Sequence, residues 1–191
     1  MAKAARTKTQ GAPAVKPGGA DRAALARAQW ARERPDLDLL PMEVIGRLNV
    51  ASLLIGRDGL APLFAEHGLQ RGEFDVIATL RRAGKPYRLT PTALYESLML
   101  SSGGMTARLD RLERAALIER HPNPDDRRGT LVGLTRKGLA LIDRLVGLHV
   151  ENERRLLAGL TLAEQKELSR LLGKLIEGLG ERAGEGDAGT R

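Results

Sequence analysis

Between Thr90 and Thr135 the hydrophobic period changes from helical to alternating and back, and few folds accommodate both changes in so short a span. Thr90 is a good N-cap and Pro91 suits a first helical position, so the pattern predicts a short helix running to about Leu98. Leu100, Ser101 and Ser102 read as a tight connection into a second helix that ends near Ala116. Its buried face is marked by Met105, Leu109, Leu112 and Ala116 at spacings of 4, 3 and 4, and its other face shows Ser102, Thr106, Arg108, Arg111 and Arg114. Next, the β-prone runs Leu117–Arg120 and Thr130–Leu134 flank a polar tip from Pro122 to Gly129, which predicts a hairpin ending in Arg127 and Arg128. Two short helices followed by a slender two-stranded arm form a winged helix-turn-helix pattern.

The flanking segments are helical. Asp21 can cap a first helix that passes Trp30 and ends before Pro35, and Pro41 opens a second through Val44, Leu48, Ala51 and Ile55, continued by Leu60, Leu63 and Phe64. His67-Gly68 stops it; a short helix with Phe74, Ile77 and Ala78 follows, capped near Gly84. After the hairpin, Leu141, Leu145 and Leu148 form one stripe, and Thr161 and Glu164 form a capping box. That box opens a last helix with a seam of Leu168, Leu171, Leu175 and Leu179. Such a narrow seam at a chain end predicts packing against a partner helix, hence a homodimer. The expected organisation is a disordered basic arm over 1–20, one domain over 21–180 and a flexible tail over 181–191. Within that domain, residues 72–137 would bind DNA, and 21–67 and 136–180 would supply dimerisation helices. The fold class is mainly α with a small β hairpin.

Charge narrows the function. The formal net charge is +7, and residues 81–137 hold twelve Lys/Arg against six Asp/Glu. A basic island on a near-neutral scaffold is the footprint of a polyanion site. With no cysteine, thiolate metal sites, cysteine nucleophiles and thiol redox sensing are excluded. His67, His121 and His149 lack metal-ligand spacing, and no nucleophile–base constellation or phosphate-binding loop is present, so neither an enzyme nor a cofactor is expected. No apolar run is long enough to span a membrane, which predicts a cytoplasmic protein. Ser101, Ser102, Thr106 and Arg111 are the side chains suited to major-groove edges and phosphates. Arg127 and Arg128 suit the minor groove, where Asp125 or Asp126 can steady a guanidinium.

The stretch from Leu89 to Thr135, with its RLDRLE run, its DDRRG tip and its closing Leu134-Thr135, resembles the MarR family of transcription regulators. The resemblance covers about residues 22–180 and implies a triangular, mostly helical dimer whose chain ends form the interface and whose wings reach a pseudo-palindromic duplex. Many relatives carry Arg or Asn where this chain has Ala107, so base readout there differs. The added first helix with Trp30, the Pro35–Asp38 segment and Phe74-Asp75-Val76 look like the PecS-like, urate-responsive branch. That likeness implies an effector site of Trp30, Asp75, Arg108 and Arg120, taking a small aromatic or heteroaromatic carboxylate or a urate-like anion that releases DNA. A DNA-binding regulator with no effector is the alternative.

Overall fold

A computed structural model describes residues 21–98 and 104–188, with only the backbone described at 127–128 and 182–188. Ser101, Ser102 and the basic arm therefore lie outside the described residues. The chain forms two compact units, one ending at Leu54 and the other beginning at Ile55, a boundary inside the stretch read above as dimerisation helices.

The described residues of the first unit form a pair of helices, α1 (Arg22–Glu33) and α2 (Leu40–Leu54). Asp21 caps α1 as expected, its carboxylate accepting from the backbone N–H of Ala23 and Ala24 at 3.1 and 3.0 Å. The two helices approach closely where Gly46 faces Ala23; a Cβ on Gly46 would sit 3.0 Å from that of Ala23. The burial on α2 is inverted. Its one buried residue is Glu43, held by Arg27 and Arg47 at 2.8 Å each. Meanwhile Leu40, Met42, Val44, Ile45, Leu53 and Leu54 are 44–55% exposed.

The second unit opens with a π-helical turn, Ile55–Leu60, and continues into α3 (Ala61–Glu66) and α4 (Arg71–Arg82). The sequence reading ran one helix through to Phe64; instead the path widens at the glycines of Ile55–Leu60, where Asn152 Nδ2 donates to the Gly59 carbonyl at 2.8 Å. Next come β1 (Arg88–Leu89), α5 (Pro91–Ser97), α6 (Met105–Arg114), β2 (Ile118–Asn123) and β3 (Asp126–Leu134). α7 (Arg136–Leu156) and α8 (Leu162–Ala188) are the last described elements. The three strands are antiparallel in the order β1-β3-β2. β1 was not foreseen, because two residues carry no period; Gly133 makes room for it, since a Cβ there would meet Arg88 Cγ at 2.7 Å.

The core joins α4, α5, α6 and α7 to the sheet through fully buried Ile77, Leu80, Leu94, Leu112, Ile118 and Ile142. Phe64 and Phe74 stack at 4.5 Å beside His149, which lies 4.5 Å from Phe74. Two expected boundaries move. α6 begins at Met105 rather than near Ser102, behind Gly104 at φ 76°, a conformation glycine adopts without strain. α8 runs on through Ala188, so the flexible tail expected from 181 is helical over most of its length; Glu181, Arg182 and Ala183 are good helix formers that carry it past Gly180. Among the described residues no helix is long and apolar enough to cross a membrane.

Candidate nucleic-acid interface

α6 divides its faces cleanly. Leu109 and Leu112 enter the core, whereas Thr106, Ala107 and Arg114 are exposed. The exposed start of α6 thus presents a hydroxyl and a methyl with no larger side chain between them, a surface that can approach base edges closely. Arg111, expected on the DNA face, is committed elsewhere. Its Nε donates to Glu73 Oε1 at 2.5 Å and its second guanidinium nitrogen to Gln70 Oε1 at 2.9 Å. Glu73 is itself buried and also accepts the Gln70 backbone N–H at 2.7 Å, so the capping box of α4 anchors the flank of α6.

The far end of α6 is clamped by the start of α7. The helix closes with Leu117 N–H donating to Leu112 O at 2.9 Å and Ala116 N–H to Glu113 O at 2.8 Å, with Ala116 at φ 55° in a position glycine usually fills. Thr135 then donates from Oγ1 to Ala116 O at 2.7 Å and from its backbone N–H to Leu117 O at 3.1 Å, and Lys137 Nζ donates to Ala115 O at 2.8 Å. α7 approaches so closely that a Cβ on Gly138 would lie 1.9 Å from Leu117 O.

β2 and β3 form the wing, in register from Ile118↔Leu134 to Pro122↔Thr130, with an irregularity before Asn123↔Asp126. The turn is tighter than the expected tip, since β3 already begins at Asp126 and places Arg127 and Arg128 on its first residues. Arg120, near the root of the wing, donates to Asp110 at 2.7 Å and to Glu113, both on α6, and these carboxylates hold its guanidinium even more firmly protonated than usual. Wing and α6 are thereby joined by charge as well as by the core.

The four residues expected to form an effector site are placed unevenly. Asp75 is buried on α4, and its Oδ2 has no hydrogen-bond partner. Arg108 lies against the same helix one turn earlier, where a Cβ on Gly72 would meet its Nε at 2.5 Å. Arg120 is engaged with α6 as described, and Trp30 belongs to the first unit, where it is 47% exposed. Sequence reasoning missed Glu73 and Lys137, each a polar residue whose partner lies on another helix. No group of His, Asp or Glu among the described residues could hold a metal ion.

Comparison with known proteins agrees with this architecture. Residues 67–129 match the MarR family. The chain is 47% identical to the HTH-type transcriptional regulator PecS of Dickeya dadantii over 147 residues, covering 77% of this chain and 88% of that protein. It is 37% identical to the multiple antibiotic resistance protein MarR of Escherichia coli over 143 residues, 73% of this chain and 93% of that one. Among solved structures, a mutant of the same MarR complexed with operator DNA superposes with a TM-score of 0.62 at 28% identity, covering 72% of this chain and 94% of that one. The capped helix pair, the charge-tied wing and the extent of these similarities lead to one assignment: the chain belongs to the MarR family of DNA-binding transcription regulators.

Proposed function

We propose that this chain is a ligand-responsive repressor that binds a pseudo-palindromic DNA duplex as a homodimer. The observation that carries the DNA reading is the exposed Thr106-Ala107 face of α6 beside a wing that brings Arg127 and Arg128 to the hairpin turn. The same framework in the MarR of Escherichia coli has been solved with operator DNA. Thr106 and Ala107 enter the major groove, Ala107 offering only a methyl contact to thymine, while the wing arginines enter the minor groove. Dimerisation is supported by apolar surface that the single chain leaves uncovered. Leu168, Leu171, Leu175 and Leu179 are 38–55% exposed on α8, and the apolar side chains of α2 are similarly bare. Two-fold pairing of recognition modules then requires an operator of two inverted half-sites.

The effector reading rests on Asp75. A buried carboxylate oxygen without a partner is costly, and a neighbouring Arg108 supplies the cation that a competing anion could attract. A small aromatic or heteroaromatic carboxylate, or a urate-like anion, drawn to Arg108 would disturb the contact of α6 with α4 and lower DNA affinity. Selection from a pool of random duplexes, followed by fluorescence anisotropy over a range of salt, tests the DNA reading. Recovery of an inverted repeat with a steep salt slope is expected. Equal affinity for selected and scrambled duplexes would overturn it. Urate and 6-hydroxynicotinate, titrated against the complex with the selected duplex, test the effector reading; release in the wild type but not in Asp75→Ala is expected.

A further inference from the structure

Beside the C-terminus of α6 lies a cleft of about 480 Å³ that the effector reading does not use. Its wall is one face of α7, where Lys137, Ala140, Leu141 and Arg144 follow each other at helical spacing, and Leu117 lines it together with His67 at the end of α3. The volume falls within the range of small-molecule sites. Its chemistry is amphipathic: Leu117, Ala140 and Leu141 offer apolar contact, and Lys137 and Arg144 place two cations at the lining. Among the described residues no carboxylate lines this cleft. Arg144 makes no ion pair or hydrogen bond with any described residue, and the neighbouring acid on α7, Asp143, is taken by Arg81 at 2.6 Å. Lys137 spends one donor on the Ala115 carbonyl and has two more to offer. His67 donates from Nδ1 to the Leu63 carbonyl at 3.0 Å, which leaves Nε2 as a further polar atom at that end.

We propose that this cleft is a second effector site, taking an organic carboxylate with an apolar body, whose carboxylate engages Arg144 and Lys137. The apolar body lies over Leu117 and Leu141. Because Lys137 also holds the last turn of α6, an anion drawing on the same ammonium loosens that turn, and the site reports directly to the recognition helix. This consequence rests on the DNA reading of α6; occupation of the cleft does not.

The test uses the full-length protein and fluorine NMR with 4-(trifluoromethyl)benzoate, and with the uncharged 4-(trifluoromethyl)benzamide as the control for charge. The acid binds the wild type and Asp75→Ala alike and loses at least tenfold in affinity for Arg144→Glu, while the amide binds at least tenfold more weakly than the acid throughout. Arg144 is exposed and unpaired, so its substitution leaves the fold and the Lys137 tether in place. In the same samples, amide exchange at Ala116 and Leu117 accelerates as the acid saturates the wild type. Equal binding of the acid to wild type and Arg144→Glu, equal binding of acid and amide, or loss of binding in Asp75→Ala would each overturn the site. Unchanged exchange at saturation would overturn its coupling to α6. A failure to select any duplex would sink the DNA reading and leave the binding arm standing.

Discussion

Replacing Gly138 with alanine tests whether the seat of α7 beneath α6 is as tight as its geometry implies. The new Cβ would lie 1.9 Å from the Leu117 carbonyl oxygen and 2.9 Å from its carbon, and both atoms are backbone. An ordinary contact begins at about 3.4 Å, so α7 and the Leu117 peptide must separate by about 1.5 Å. Such a displacement breaks the bond from Thr135 N–H to Leu117 O and the bond from Lys137 to Ala115 O. Overpacking costs about 1–3 kcal/mol, and two lost hydrogen bonds add about 1 kcal/mol each. Alanine's higher helix propensity returns up to about 1 kcal/mol. The expected net loss is therefore about 2–4 kcal/mol, or roughly 5–12 °C in melting temperature for a chain of this size. Thermal unfolding by circular dichroism, at one fixed protein concentration because the proposed dimerisation would make the midpoint concentration-dependent, gives the readout. Gly147→Ala on the same helix is the control: among the described residues nothing lies within 4 Å of its Cβ, so only the propensity gain applies. A Gly138→Ala midpoint within about 1 °C of wild type, well below the shift expected for even 1 kcal/mol, would show that the clamp does not exist as described.

Four further outcomes are expected. Ala116→Gly relieves a left-handed alanine at φ 55° and raises stability by about 1 kcal/mol in urea unfolding; no gain would mean that the turn is not strained. Arg127→Ala lowers affinity for the selected duplex by on the order of 1–3 kcal/mol and reduces the salt slope by about one unit, both read by anisotropy; an unaltered slope would remove the wing from the interface. Leu171→Glu with Leu175→Glu converts the dimer to a monomer in sedimentation equilibrium, because both side chains lie on the exposed seam of α8; a persisting dimer would place the interface elsewhere. Finally, the N–H groups of Ala24 foremost, then Arg47, hold the Asp21 carboxyl below its ordinary value of 3.8. A depressed folded value means the cap is fully present above about pH 4 and lost as the pH falls through the folded value. Exchange at the Ala24 amide should therefore accelerate relative to Asp21→Asn on acidification, and parallel profiles would refute the cap.

The winged motif was legible because its signals are local. Thr90 acts as the expected cap, accepting from Ala93, and α7 opens at Thr135, where the helical period returns, with that side chain accepting from Gly138. What stayed hidden was every decision made by a partner distant in the chain. Arg111 sits among polar residues of α6 and reads as a DNA contact until Glu73, 38 positions earlier, claims it. Glu43 and Glu73 carry no local mark of burial, yet both are buried, because arginines on other helices or other turns meet them. Ala116 fitted the spacing of a buried face, yet it lies exposed beyond the helix end, since alanine carries no sequence mark of a left-handed conformation. The added strand and the π-helical turn were illegible for a related reason: both are answers to neighbours, Gly133 for Arg88 and Asn152 for Gly59.

The division of α6 has a consequence for how such a regulator could acquire a new address in a genome. The residues that hold the helix, Leu109, Arg111 and Leu112, are separate from the exposed pair at its start, Thr106 and Ala107. A substitution at the exposed pair leaves the supporting bonds to Gln70 and Glu73 untouched, so on the proposed DNA reading operator preference can drift without a penalty in folding. Arg111 has no such freedom: replacing it strands a buried Glu73 and unseats the helix whatever the target sequence. On that reading, duplicated copies of this gene could diverge to different operators through two codons, while the rest of the scaffold is inherited unchanged.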